Sequence, residues 1–457
     1  MTLSDRLCQH VAETPFSALP AGARAAARNV LLDASGVMYA ASGQSPDVKA
    51  FVNVAAAAGA GPCAILGTGR TATAPFAALA NGAMAHALDY EDAFDAAPGH
   101  PNASMMPAAI ALAQACRPVS GERFLTALAI GCDLSCRIGL SLRRPMEAGG
   151  WYPPPIVGGI AAVAASARIL GLNAGATRDA FSLMLCQLTM PGEIVHSPAT
   201  VIRAVREGFP AQAAVVSALL AREGVAGFEA PLEGKAGFFH LFAGGEYDEA
   251  VLTANLGQRW YGEELSYKPW PACRGTHAFI ELAQMLAAQH SFGWRDVVRI
   301  IIEAEPIHRM LLEPAARKQA PGVAIDAKFS IPFTVGLALV RGRVTLDDFA
   351  PASLADVDVL AVARRVASVP AGAHTRTSSS GGAMTITLAD GRTVSAEVAN
   401  ALGSPQRPMS DTALMAKFVD CLGRAQRPVE RGAATALGER ILACDRASDV
   451  GAIFTGP

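Results

Sequence analysis

The chain has 457 residues, enough for two or three domains of about 150 residues each. Hydrophobic residues make up 51% of it and charged residues 17%, which supplies a large core and excludes a disordered chain. The net charge is -2 and no run of lysine or arginine occurs, so we expect no nucleic-acid partner.

The cysteines and the apolar segments indicate the cellular compartment of the protein. The nine cysteines are odd in number and mostly lie in apolar surroundings, which is typical of free thiols in a reducing compartment. The first residues include Asp5 and no long apolar run, unlike a signal peptide. Apolar stretches such as residues 156–167 are shorter than the roughly 18 residues that span a bilayer. We therefore expect a cytoplasmic protein without a membrane partner.

Residues 1–262 are predicted to form a succession of helices. Gly171 directly follows one apolar segment and marks its end. Apolar side chains recur at helical spacing in residues 23–39, 102–116, 122–142, 156–170 and 211–223.

Strand patterns begin after residue 263. Residues 297–304 are rich in β-branched side chains and predict a buried strand. Residues 384–398 alternate around Asp390-Gly391, a dipeptide typical of a tight hairpin turn.

Helical patterns lie between and after these strands. Residues 330–341 and 353–367 have helical period, so residues 263–397 are predicted to form an α+β lid domain. Ser410 is a predicted N-cap, and residues 398–457 are predicted to return to the helical domain. The expected fold class is mainly α with an inserted α+β domain.

The polar segment from His86 to His100 is the first candidate for chemistry. His86, Asp89 and Asp92 are spaced by three, so on a helix His86 and Asp89 would share a face from which Asp92 drifts. His100 would stand at the N-terminus of the apolar helix that starts at about residue 102, a position that favours anions.

This segment has two interpretations. In the first, a histidine is the base of a proton-transfer site and a nearby carboxylate orients its ring. In the second, it is an acidic, solvated turn with a capping His100, to which Glu91 and Asp95 only add charge. His86 and Asp89 are also a possible metal pair, but no third ligand can be named, so we expect no metal.

A second cluster follows at residues 266–277. Lys268, Cys273, Arg274 and His277 lie within ten residues, and a helix is predicted to start with Thr276 as its N-cap. Cations gathered in this way suit a substrate rich in carboxylates, although a structural loop with ordinary surface charges has the same pattern.

A third cluster is weaker. Arg203 and Arg206 lie three apart before an apolar helix, which is also a common surface pattern. The glycine pairs at 158–159 and 381–382 lack the strand–glycine–helix context of a phosphate loop, and no Gly-x-Ser-x-Gly elbow occurs. We therefore expect no cofactor.

Taken together and in order, these motifs resemble the MmgE/PrpD family, whose members include 2-methylcitrate dehydratase, cis-aconitate decarboxylase and iminodisuccinate epimerase. The matching strings are NG at 81–82, HALDYED at 86–92, GHP at 99–101, GFPAQAA at 208–214, LEG at 232–234, KPWPAC at 268–273, KFSIPF at 328–333 and PMS at 408–410.

The resemblance implies a homodimer with a helical domain built from both chain ends, an inserted α+β lid and no cofactor. It also implies that the substrate is a small di- or tricarboxylate. By motif position it assigns Asp89, His100 and Lys268 to the site, and Arg203 stands where lysine is often found.

The chain departs from the family pattern at several of these positions. Tyr152 stands where decarboxylase-like members have a histidine, Cys273 replaces a second histidine, and Phe333 replaces a tyrosine in the lid. Arg203-Ala-Val-Arg206 replaces a Lys-Pro-Leu-His string. These departures weigh against cis-aconitate decarboxylation and loosen the expectation of methylcitrate specificity.

The predicted function is a carbon–oxygen lyase that dehydrates a 2-methylcitrate-like hydroxy acid by abstracting a proton next to a carboxylate. His100 is the predicted acid or base, oriented by Asp89 or Asp92, and Tyr152 is a second proton donor. Cys273 is either the opposing acid/base of an epimerase or a packed thiol, and we favour the thiol. The residues predicted to bind substrate are His86, Asp92, Arg203, Arg206, Lys268, Arg274 and His277.

Other functions compete with this prediction. The runner-up is an epimerase or isomerase of a small dicarboxylate, which needs two opposed proton-transfer groups but expels no water. A decarboxylase or a non-catalytic relative is less favoured.

Overall fold

The computed structural model describes residues 1–97, 99–197, 200–371 and 380–455. The elements up to residue 265 are α1 (Leu3–Glu13), α2 (Ala21–Gln44), α3 (Lys49–Ala57), β1 (Cys63–Ile65), β2 (Arg70–Ala72), α4 (Ala74–Ala87), α5 (Met105–Ala115), α6 (Gly121–Ser141), α7 (Pro153–Leu170), α8 (Ala174–Leu185), α9 (Ile202–Val205), α10 (Gly208–Arg222), α11 (Phe238–Ala243) and α12 (Glu249–Thr253).

The elements that follow include both helices and strands, and two helices come last. They are α13 (His277–His290), β3 (Val297–Ala304), α14 (Arg309–Leu312), α15 (Ala315–Gln319), α16 (Ala324–Lys328), α17 (Ile331–Arg341), α18 (Pro351–Leu354), α19 (Val357–Ala363), β4 (Val366–Pro370), β5 (Gly382–Leu388), β6 (Thr393–Val398), α20 (Asp411–Gly423) and α21 (Arg431–Leu442).

The chain forms two compact units. The first, here the helical unit, contains residues 1–87, 91–265 and 410–457. The second, here the mixed unit, contains residues 88–90 and 266–409. The fold is therefore mainly α with a smaller α+β part, as predicted from the sequence.

Helices that are apolar on all sides form the core of the helical unit. Nearly every side chain of α4, α5 and α7 is buried, which is the pattern of helices surrounded by other helices. Helix α7 begins with a proline at its first turn and is capped after Leu170 by Gly171, whose φ of 71° is left-handed. The sequence analysis predicted only helices in this unit, but β1 and β2 form a short antiparallel hairpin.

Two of the core helices, α6 and α7, are long and apolar enough to cross a membrane by length and composition alone. The sequence expectation concerned uncharged stretches such as residues 156–167, whereas α7 also contains Arg168 and α6 contains Asp133. Burial favours a core role, because 89% of the apolar window of each helix is buried within the protein.

The mixed unit is built on a four-stranded sheet in the order β4-β3-β5-β6. Strands β3 and β4 are parallel, and β3–β5 and β5–β6 are antiparallel. The predicted strand at 297–304 and the predicted hairpin are both confirmed, and Gly391 adopts the positive φ of 86° that the turn requires.

The predicted helix over residues 353–367 is confirmed only for Val357–Ala363, and its two ends were wrong. The carboxylate of Asp356 accepts hydrogen bonds from the backbone of residues 358 and 359, so a new helix, α19, starts there. From Val366 the chain pairs with Ile300 of β3 as strand β4. Pairing with the sheet overrides the helical period of this segment.

Candidate active site

Helix α4 ends just before the acidic motif. Its last residue is Ala87, and Asp89 has a φ of 49°, which a continuing α-helix does not allow. The prediction that His86 and Asp89 share a helix face was therefore wrong. His86 belongs to the helical unit and Asp89 to the mixed unit.

Within the helical unit, His86, Glu91 and His100 form one buried cluster, here called the His–Glu–His cluster. The Nδ1 atom of His100 lies 3.0 Å from Oε1 of Glu91, and the same oxygen contacts Nδ1 of His86. The two imidazole rings are 4.9 Å apart between centroids. The side chains of His86 and Glu91 are 0% and 1% exposed, whereas that of His100 is 15% exposed.

The contacts of His100 define its tautomer. Its Nδ1 also lies 2.9 Å from the backbone oxygen of Asp92, so this nitrogen faces two acceptors and carries the hydrogen. In the neutral ring Nε2 is then the basic nitrogen. When His100 gains a proton at Nε2, the adjacent carboxylate of Glu91 stabilises the imidazolium.

The carboxylate of Glu91 contacts His100, whereas the sequence analysis expected Asp89 or Asp92 to orient this histidine. Asp92 presents its backbone oxygen to His100, while its Oδ2 accepts a hydrogen bond of 2.8 Å from Asn102. The sequence analysis considered Glu91 only as an additional negative charge. Since the chain leaves the helix after Ala87, helical spacing could not reveal that Glu91 contacts both histidines.

The same three side chains could hold a divalent cation. One ligand atom from each of His86, Glu91 and His100 lies within 4.8 Å of the others. Two imidazoles and a carboxylate suit zinc. The direct contacts between Glu91 and each imidazole fit a hydrogen-bonded cluster equally well. In such a cluster, hydrogen bonds and not a metal ion join the three side chains.

In the mixed unit, Lys268 is bound to Asp89. Its Nζ atom lies 2.5 Å from Oδ1 of Asp89 and donates to the backbone oxygen of the same residue at 3.1 Å. Both side chains are fully buried. Lys328 donates to the backbone oxygen of Leu88 at 2.6 Å, so two lysines hold the 88–90 segment.

The other cations of this loop contact protein groups. Arg274 donates to the backbone oxygens of Leu402 and Ala401 at 2.8 and 3.2 Å. It also donates to Nδ1 of His277 at 3.2 Å, which leaves Nε2 of His277 to donate to the backbone oxygen of Ala272 at 3.0 Å. His277 is fully buried and Arg274 nearly so, which is unlike a loop of ordinary surface charges.

Cys273 and Thr276 lie at the start of α13. The backbone N–H of Cys273 donates to Lys328, and its side chain is partly exposed. Helix α13 begins directly after Thr276 as predicted, but the Thr276 hydroxyl donates to the backbone oxygen of Cys273 and does not cap the helix.

The arginines of the third cluster are buried in the helical unit. Arg203 is 9% exposed and Arg206 is 0% exposed, so the surface interpretation was wrong. Arg206 forms an ion pair of 3.0 Å with Glu207 and donates to the backbone oxygen of Arg203 at 2.6 Å. Its guanidinium carbon lies 5.1 Å from the ring centroid of Tyr152, the residue that precedes α7.

Glu207 and Ser104 were not identified from the sequence. The hydroxyl of Ser104 donates to the carboxylate of Glu207, and both side chains are fully buried. Burial raises the pKa of Glu207, and the negative charge of Glu91 adds to this effect, although Arg206 and Ser104 oppose it. A charged residue directly before the glycine-led helix α10 was the one available signal.

Comparison with known protein families gives the class of this fold and site. Residues 5–250 match the MmgE/PrpD N-terminal domain, and residues 270–437 match the MmgE/PrpD C-terminal domain. The chain therefore belongs to the MmgE/PrpD family.

Its curated relatives share about a quarter of their residues with it. The cis-aconitate decarboxylase-like protein oryM of Aspergillus oryzae is 28% identical over 367 residues, which cover 76% of this chain and 75% of that protein. The cis-aconitate decarboxylase of Aspergillus terreus is 23% identical over 413 residues, 85% and 82% of the two chains. The cis-aconitate decarboxylase of Homo sapiens is 25% identical over 287 residues, 60% and 57% of the two chains.

Proposed function

We propose that this protein is a cofactor-independent lyase that acts on a small di- or tricarboxylate by moving a proton next to a carboxylate. The observation that supports it most is the His–Glu–His cluster. It offers a partly exposed imidazole, that of His100, whose Nδ1 side faces a buried carboxylate. A histidine held in this way is suited to accept and return a proton near neutral pH.

The reaction we propose is dehydration of a hydroxy tricarboxylate of the 2-methylcitrate type. Nε2 of His100 removes the proton on the carbon next to a carboxylate, the pair of electrons forms the C=C bond, and the C–O bond breaks. A second acid protonates the departing hydroxide as water, and Tyr152 is our candidate for it. Cys273 remains the candidate for an opposed acid/base in an epimerase.

Nearby cations would stabilise the negative charge of the reaction intermediate. Removing a proton next to a carboxylate places negative charge on that carboxylate, and buried cations stabilise it more strongly than cations in water do. Arg203 is a candidate in the helical unit, and Lys268 and Arg274 are candidates in the mixed unit. The negative charge of Asp89, which contacts Lys268, would partly offset the positive charge that Lys268 presents to a substrate.

Decarboxylation is the second candidate, because the curated relatives named above carry that activity in their names. It shares the proton transfer but breaks a C–C bond and releases carbon dioxide. Tyr152 and Cys273, which replace histidines of decarboxylase-like members, support dehydration as our first choice.

Product analysis separates these reactions. The purified protein is incubated with 2-methylcitrate, citrate and cis-aconitate, and we follow the ultraviolet absorbance of a new conjugated alkene and the release of carbon dioxide. A rise in absorbance without carbon dioxide supports dehydration, and carbon dioxide release from cis-aconitate replaces it with decarboxylation. No turnover of any carboxylate in such a panel would contradict the lyase proposal.

We also propose that the protein acts in the cytoplasm as a homodimer and binds neither nucleic acid nor membrane. The near-neutral charge of -2 and the free state of the cysteines support this setting. Light scattering during gel filtration tests the homodimer, and a mass near the 47.2 kDa of one chain would contradict it.

A further inference from the structure

Glu207 is a fully buried carboxylate that the sequence motifs of the site do not include. Its Oε1 atom lies 3.0 Å from Nε of Arg206, and it accepts a hydrogen bond from Ser104. Ser104 stands at the N-cap of α5, where serine normally caps its own helix. Here it makes no such cap, and its hydroxyl is directed to Glu207 instead.

The backbone at Glu207 is fixed by close packing of two helices. A Cβ atom placed on Gly82 of α4 would lie 2.7 Å from Cα of Gly208 and 2.8 Å from the backbone oxygen of Glu207. These helices therefore touch backbone to backbone at this point. Helix α4 also carries His86, so Glu207 is held rigidly against the helix of the His–Glu–His cluster.

Arg206 connects Glu207 to Tyr152. Its side chain is fully buried, pairs with Glu207 and donates to the backbone oxygen of Arg203, and its guanidinium group lies over the Tyr152 ring at 5.1 Å. A long side chain such as arginine has many rotamers, and an ion pair at a fixed carboxylate selects one of them.

We propose that Glu207 is a positioning residue: with Ser104, its carboxylate holds Arg206 against Tyr152 and so orients the phenol as a proton donor. The part concerning proton donation rests on the proposed function. The orientation of the ring by Arg206 does not, and it can be measured without turnover.

A charge-compensated variant tests this role. Glu207→Gln alone leaves Arg206 as a buried charge without its carboxylate, which destabilises the fold whatever its function. The double variant Arg206→Gln/Glu207→Gln removes both charges, so we expect a melting temperature close to that of the wild type. The matched control is Asp33→Asn/Lys417→Gln, which removes another buried ion pair of the helical unit.

Two measurements separate positioning from a purely structural role. In fluorotyrosine-labelled protein, the resonance of Tyr152 is assigned by its loss in Tyr152→Phe. We expect this resonance to shift in the Arg206/Glu207 double variant and not in the control. We also expect kcat to fall at least tenfold in that double variant and to fall no further when Tyr152→Phe is added.

The outcomes are distinct for the two proposals. An unmoved Tyr152 resonance, or a loss of kcat that adds in full to that of Tyr152→Phe, overturns the positioning role. If the wild-type protein turns over no carboxylate while the resonance still shifts, the orientation of Tyr152 stands and the proposed function fails.

Discussion

One oxygen of Glu91 lies between two histidines: it is 3.0 Å from Nδ1 of His100 and in contact with Nδ1 of His86. The shared acceptor contacts both rings through the same nitrogen, and we propose that Nε2 of His100 carries out the proton transfer. Serine hydrolases use a carboxylate in a comparable way to set the tautomer of a catalytic histidine.

Glu91→Gln is predicted to lower kcat by about two to four orders of magnitude, because an amide orients the ring without stabilising the imidazolium. Steady-state kinetics measures the loss. Glu122→Gln, at the first turn of α6, is the control and should keep its activity. If Glu91→Gln keeps a third or more of the wild-type kcat, Glu91 does not support a catalytic histidine.

Lys268→Met is predicted to destabilise the protein by about 3–5 kcal/mol, because it leaves the buried carboxylate of Asp89 without its cation. Adding Asp89→Asn removes the stranded charge and should restore much of that stability. Urea unfolding of the single and double variants measures both effects. Equal stability of the two variants would show that the pair is not coupled.

Much of the fold could be predicted from the sequence, because apolar residues recur at helical spacing in long helices. Helix α6, predicted at 122–142, runs from Gly121 to Ser141, and the hairpin around Gly391 forms as expected. The end of α4 could not be found in this way. Residues 86–92 contain good helix formers, and Asp89, where the chain turns, contacts Lys268, which is 179 positions away.

The composition of the site was predictable only in part. His100, Lys268 and the arginine pair were singled out from the sequence, but their partners were not. Lys268 contacts Asp89, which is 179 positions away, whereas Glu91 and Glu207 lie close to His100 and Arg206 in the chain and were still overlooked. The burial of Arg206 depends on Glu207 and on helices packed around it, and a spacing of three residues does not distinguish a buried arginine from an exposed one.

His10 is predicted to make stability fall in mild acid. Burial lowers its pKa from 6.5 to about 4, with help from the cations of Arg137 and Arg168. Below pH 6.5 the unfolded chain binds a proton that the folded chain refuses, so stability falls as the pH drops from 6.5 towards 4. Above pH 6.5 His10 is neutral in both the folded and the unfolded chain, so it no longer makes stability depend on pH.

His10→Gln removes this proton uptake, so the variant should lose about 2 kcal/mol less than the wild type between pH 7 and pH 4. The side chain of His10 is partly exposed, so solvent screens part of the effect. Urea unfolding at several pH values measures the difference. Parallel pH profiles for the two proteins would show that His10 is not the group responsible.

Chelation is predicted to leave the activity unchanged, because the His–Glu–His cluster works through its protons in our account. Dialysis against EDTA followed by kinetics in metal-free buffer makes the test. A loss of activity that zinc restores would show instead that His86, Glu91 and His100 hold a metal.

The central claim is that His100 moves a proton on a carbon atom next to a carboxylate, and solvent-deuterium incorporation measures that step directly. In D₂O the wild-type protein should place deuterium on a candidate di- or tricarboxylate, whereas His100→Ala should not, and added imidazole should restore part of the exchange. His290→Ala, an exposed histidine at the end of α13, should exchange like the wild type. Undiminished exchange by His100→Ala, or none by the wild-type protein with any of these carboxylates, would contradict the account.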